Sequence, residues 1–180
     1  MDNCTSVTKN LLTGLGVKFT DQFLEGTILS HSDYPSLLCI SDALAKYKID
    51  TMAVRVDFQK LKELPLPCIV QFSDYGGFFY TIEKVSDGQV KYLDEKGKPI
   101  SIPIDDFQKR WKGICLLAET TESSGEPDIE KRISQKRVVD YFKWAALSSL
   151  VLWSVLGLLD SQLSEGIALW SVPVYYFLKL

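Results

Sequence analysis

The chain has 180 residues, of which 46% are apolar, 12% aromatic and 24% charged. That content excludes disorder throughout, and 4 cysteines are too few for a disulfide-dense scaffold. A total of 20 Lys and Arg against 23 Asp and Glu gives a formal charge of -3, which argues against nucleic-acid binding through bulk charge. One histidine, His31, restricts metal and imidazole chemistry from the outset.

In chain order, helices come first. Asn3 to Thr13 has helical spacing, with Val7, Leu11 and Leu12 facing inward and Gly14 and Gly16 ending it. Thr20 is placed to cap a second helix, DQFLEGTILS, and Ser36 a third, LLCISDALAKYK, whose Leu37, Ile40, Leu44 and Tyr47 share a face. Strands follow. TMAVRVD alternates, with Met52, Val54 and Val56 on one side; CIVQF and FFYTIEKV flank a turn at Ser73 to Gly77; VKYLD and PISIP bracket the turn EKGK. Ile104 to Trp111 reads as a short helix and Gly113 to Glu119 as an apolar strand. Helices followed by an antiparallel meander predict an α+β domain over 1–119.

Residues 120–140 are polar, then basic, and read as a linker; 141–180 read as membrane segment. Trp144 to Leu159 is sixteen residues without a charge, and a spanning helix needs roughly 20 apolar residues, so this run and its flanks suffice. A soluble helix packed on one side would show charges on its outer face, and this one shows none. A second apolar run, Gly166 to Leu178, suits a buried or interfacial segment or the start of a truncated span. Lys131, Arg132, Lys136, Arg137 and Lys143 precede the first run, whereas the DSQLSE connection is acidic. Basic flanks stay on the cytoplasmic side, so the amino-terminal part is expected in the cytoplasm.

Cys4, Cys39, Cys68 and Cys115 are spaced too widely for a zinc pattern, and no metal or cofactor is expected. A phosphate-cradling glycine loop is missing, so no nucleotide site is expected in this chain. Cys68 and Cys115 fall within apolar strands, where free cysteine behaves as a small hydrophobe. Aromatic residues Phe72, Tyr75, Phe78, Phe79 and Tyr80 crowd the central turn and are candidates to line a groove for an extended peptide.

The segments DNC, LLTGLGVKFT, SLLCISDALAKYKID, MAVRVDFQKLKELPLPCIVQF, YLDEKGK and IPIDDFQKRWKGICLLAE, in this order, resemble the bacteriocin-processing cysteine peptidases. These are papain-like domains that cut after double-glycine leaders at the amino terminus of certain exporters. The resemblance implies a papain-like fold with Cys4 as nucleophile and Asp94 as third catalytic residue. It places the family histidine at Gly77 or Phe78, neither of which accepts a proton. The family's oxyanion glutamine has no counterpart among the three residues before Cys4. A general base is typically worth 10² to 10⁴-fold, so the expectation is a catalytically impaired domain that binds an extended peptide or partner protein in a bacterial inner membrane. The alternative is an active leader peptidase using Cys4. His31, in the loop SHSDYPS, reads as a helix-end residue capping carbonyls or facing water rather than as a substitute base. HSDYPSLLCISDAL and TTESSGEPD further resemble a variant in which this domain precedes a vitamin K epoxide reductase-like membrane domain. That resemblance implies an accessory role in a disulfide-forming system, and that the chain is a fragment or a shortened relative, because it holds no paired cysteines after Cys115.

Overall fold

The computed structural model describes residues 2–73, 76–86 and 88–163, the side chains of 157–163 excepted. Tyr75 and the second apolar run, Gly166 to Leu178, lie outside the described residues. Three helices open the chain: α1 (Asn3–Gly14), α2 (Asp21–Leu29) and α3 (Leu37–Lys46). A six-stranded sheet follows, made of β1 (Asp50–Arg55), β2 (Cys68–Phe72), β3 (Phe79–Ser86), β4 (Gln89–Leu93), β5 (Pro99–Pro103) and β6 (Trp111–Glu119). Short helices α4 (Phe58–Leu61) and α5 (Ile104–Arg110) interrupt it. The fold is α+β, as expected.

The strand order is β1-β6-β2-β3-β4-β5, and every neighbouring pair is antiparallel. β2 to β5 form a meander, while β6 returns to insert between β1 and β2. Strand side chains alternate between faces, so the sheet builds two cores. Ile69, Phe79 and Leu116 point toward α1, α2 and α3, where they join Val7, Leu11, Leu12, Ile40 and Leu44. Cys68, Val70, Phe72, Ile82, Tyr92 and Cys115 point to the other face and meet Leu61 of α4 and Phe107 of α5. Met52, expected beside Val54 and Val56, is 63% exposed on β1, which is an edge strand.

Residues 120–128, expected to be part of a linker, bond back to the helical half. Ser124 Oγ donates to Lys48 O at 2.7 Å, Gly125 N to Tyr47 O at 2.8 Å, and Glu126 N to Lys18 O at 3.2 Å. Glu126 is only 5% exposed, and its carboxylate accepts from both the backbone N–H and the hydroxyl of Thr20. Thr20 is the N-cap of α2 but makes no cap bond with its own side chain.

The chain divides into two compact units, Met1–Ile129 and Glu130–Leu180. The second is described as one helix, α6 (Ile129–Leu163). Its Ile129–Leu156 stretch of 28 residues is long and apolar enough to cross a membrane. At 1.5 Å per residue it reaches about 42 Å, more than the roughly 30 Å hydrocarbon core. Tyr141, Phe142, Trp144, Leu150, Val151 and Trp153 are all exposed along it.

Candidate functional site at the start of α1

Asp2 caps α1, its carboxylate accepting from Thr5 N–H at 3.1 Å. The next residue, Asn3, reaches across to the sheet. Its Nδ2 donates to Phe79 O at 3.0 Å and its Oδ1 accepts from Phe79 N–H at 2.8 Å. Both backbone groups of the first β3 residue are thereby taken by one side chain. Successive helical residues diverge by about 100° around the axis, so an Asn3 aimed at β3 turns Cys4 elsewhere. Cys4 is 2% exposed and sits in the core between α1 and α3, where its thiol meets that of Cys39.

Cys39 lies in the first turn of α3, capped by Ser36, whose Oγ accepts from Cys39 N–H at 3.1 Å. Its thiol donates to Ser36 O at 3.0 Å. Hydrogen bonding from Cys4 is the main influence that pushes the Cys39 thiol down to about 6, against burial, with the Ser36 bonds and the nearby His31 acting the same way. Cys4 is pushed upward, chiefly by Cys39 and then by burial. Tyr34 stands over the same corner and is pushed up by burial and by Asp2, with which it hydrogen-bonds.

His31 lies in the loop between α2 and α3. Nε2 is 3.0 Å from Asp42 Oδ2, and Nδ1 accepts from Asp33 N–H at 3.1 Å. The Asp33 bond makes Nδ1 an acceptor and leaves Nε2 to donate to Asp42, so both nitrogens are engaged within the α2–α3 corner.

Asp94 follows β4 in the β4–β5 turn. Its Oδ1 accepts from Lys96 N–H at 2.8 Å and Lys98 N–H at 2.7 Å, and its carbonyl accepts from Asn10 Nδ2 at 2.9 Å. Asn10 is six residues beyond Cys4, about 9 Å along the helix. The structure therefore brings both predicted catalytic residues to α1, at different points along it. Gly77, one of the two positions where the resemblance places the family histidine, has φ +109°, and a Cβ there would stand 2.8 Å from Gln71 Nε2. Phe78 is half-buried, just before β3.

The aromatic candidates separate by face. Phe72 is fully buried, its ring meeting Tyr80, Tyr92 and Phe107 and lying 4.8 Å beneath the Arg110 guanidinium. It fills the second core instead of lining a groove, because Phe72 follows Val70 on the inward side of β2. Tyr80 is half-buried on the same face. Spacing arguments do not single out Asn3, Cys39 or Glu126; only the S-x-x-C cap pattern at Ser36 to Cys39 hints that a thiol occupies a helix start. Among the described residues, no group of three or more His, Cys, Asp or Glu is arranged to hold a metal ion.

Solved structures that share the fold include three peptidase domains. A double-glycine-motif protease from an AMS/PCAT transporter, solved in complex with the leader peptide, superposes with a TM-score of 0.60 at 18% identity, covering 67% of this chain and 85% of that one. The peptidase domain of Streptococcus ComA, a bifunctional ABC transporter involved in a quorum-sensing pathway, gives 0.58 at 18%, covering 67% and 95%. The N-terminal peptidase C39-like domain of the toxin secretion ATP-binding protein from Vibrio parahaemolyticus gives 0.57 at 18%, covering 67% and 98%. No curated protein matches the chain. The model of the Peptidase C39 family matches residues 7–123, beginning three residues after Cys4. With that match spanning more than half of its length, the chain belongs to the Peptidase C39 family.

Proposed function

We propose that the chain is a membrane-anchored, non-cleaving peptidase-like module that holds an extended peptide. The observation that carries this reading is the engagement of His31. The chain's one imidazole is bonded at both nitrogens, to Asp42 and to Asp33 N–H. A cysteine peptidase needs an imidazole to take the thiol proton and return it to the leaving amine. Around β3, where the family resemblance puts that group, Gly77 and Phe78 offer none, and Asn3 occupies the Phe79 backbone.

One structural relative was solved with a leader peptide bound, which supports a double-glycine leader as the class of ligand. Phe78 and Tyr80 keep exposed surface at the start of β3 and are the residues assigned to peptide contact. Helix α6 supplies the anchor. Lys131, Arg132, Lys136, Arg137 and Lys143 favour a cytoplasmic globular part at a bacterial inner membrane.

The test uses the full chain in detergent micelles with a fluorescent double-glycine leader peptide. Saturable binding with an intact peptide by mass spectrometry is expected. Cleavage that vanishes in Cys4→Ala overturns the reading in favour of an active peptidase. Neither binding nor cleavage overturns it in favour of an accessory part of a larger membrane oxidoreductase.

A further inference from the structure

We propose that the amino-terminal part of α6 is a cationic collar that gathers anionic phospholipid in preference to zwitterionic lipid. The proposal rests on the reading of α6 as a membrane anchor. From Lys131 to Lys143 the chain carries Lys131, Arg132, Lys136, Arg137 and Lys143 against a single acid, Asp140. The uncharged run begins at the next residue, Trp144, and one continuous helix joins the two. Lys131, Lys136, Arg137 and Lys143 are exposed, and Arg132 is half-buried. The residues directly after the run, Asp160 to Glu165, include no Lys or Arg, so the cations flank one end of it.

Helical geometry gathers these charges. At about 100° per residue, Arg132, Lys136 and Lys143 fall within an arc of about 40°, making one stripe about 16 Å long. Asp140, one turn after Lys136, borders the stripe and offsets part of its charge.

Height along the helix decides which cations act. The headgroup layer extends about 5–7 Å beyond the hydrocarbon core, and at about 0.15 M salt a charge is felt for roughly 8 Å more. Counted outward from Trp144 at 1.5 Å per residue, Lys143 stands at the edge of the core. Arg137 and Lys136 stand about 10 and 12 Å out, Arg132 and Lys131 about 18 and 20 Å. The first three reach lipid phosphates or their field; the last two stand beyond it. Arg137 presents a planar fork to two phosphate oxygens, while the lysines act as point charges on flexible stems. A zwitterionic headgroup brings its own cation, which cancels the attraction, so the collar selects lipids such as phosphatidylglycerol.

The experiment reconstitutes the full chain into mixed phosphatidylcholine and phosphatidylglycerol vesicles in which one of the two lipids is brominated. Quenching of tryptophan fluorescence reads which lipid stands against α6, since Trp144 adjoins Lys143 and Trp153 lies within the run. At about 0.15 M salt, phosphatidylglycerol is expected to be preferred about fivefold, what one cation near an anionic surface supplies. The preference should fade at about 1 M salt, where the screening length is roughly 3 Å. Lys136→Gln, Arg137→Gln and Lys143→Gln together should abolish it, whereas Lys131→Gln with Arg132→Gln should leave it intact. No preference, a preference that survives the triple variant, or equal loss in the double variant overturns the proposal. Quenching by both lipids without preference leaves the anchor standing; no quenching by brominated phosphatidylcholine overturns anchor and collar together.

Discussion

Asn3 bonds the N–H and the C=O of Phe79 at 2.8 and 3.0 Å, so one side chain couples α1 to β3. Asn3→Ala removes both bonds and leaves part-buried backbone groups without them, a cost of about 1–3 kcal/mol, measurable as a lower urea midpoint with an unchanged slope. Ser6→Ala should act in the opposite direction. The Ser6 hydroxyl is buried without a hydrogen-bond partner, so its removal should be neutral or raise stability by up to about 1 kcal/mol. Such residues are hard to read from sequence. The family resemblance points to Cys4 as nucleophile, but the helical rotation that aims Asn3 at β3 and Cys4 at Cys39 depends on where Asp2 starts α1. That Gly77 and Phe78 carry no proton acceptor, by contrast, is legible from residue type alone, whatever their geometry.

Elements with a clear period follow the sequence closely. α1, α3, β2 and β5 lie where cap, spacing and turn residues put them. α4 is invisible to periodicity because four residues complete little more than one turn; the Asp57 cap, accepting from Lys60 N–H at 2.9 Å, is its local signal. Thr20 correctly marks the start of α2, yet the group that satisfies it comes from Glu126, 106 residues away. No local pattern carries such a contact. Glu126→Ala should destabilise the domain by about 1–3 kcal/mol and speed amide exchange both at the start of α2 and across 120–126. Unchanged exchange at α2 would contradict the capping role. Gly77→Ala should also destabilise, since φ +109° strains any L side chain and the new Cβ meets Gln71.

At the scale of the molecule, α6 joins the basic stretch KRISQKR and the apolar run in one helix beginning at Ile129. The sequence separates them as linker and membrane segment because composition changes between them, while helical backbone does not. Val151→Arg places a charge within the apolar stretch, where it costs about 2.5–3.5 kcal/mol, and should shift the protein toward the alkaline-extractable fraction of membranes. A wholly membrane-retained variant would contradict the anchor. The most direct test of the whole account is a single incubation of the micelle-embedded chain with a double-glycine leader peptide, followed by binding and mass spectrometry on the same sample. Saturable binding with every peptide intact is the predicted result; a product cut after the double glycine, lost on Cys4→Ala, would contradict it.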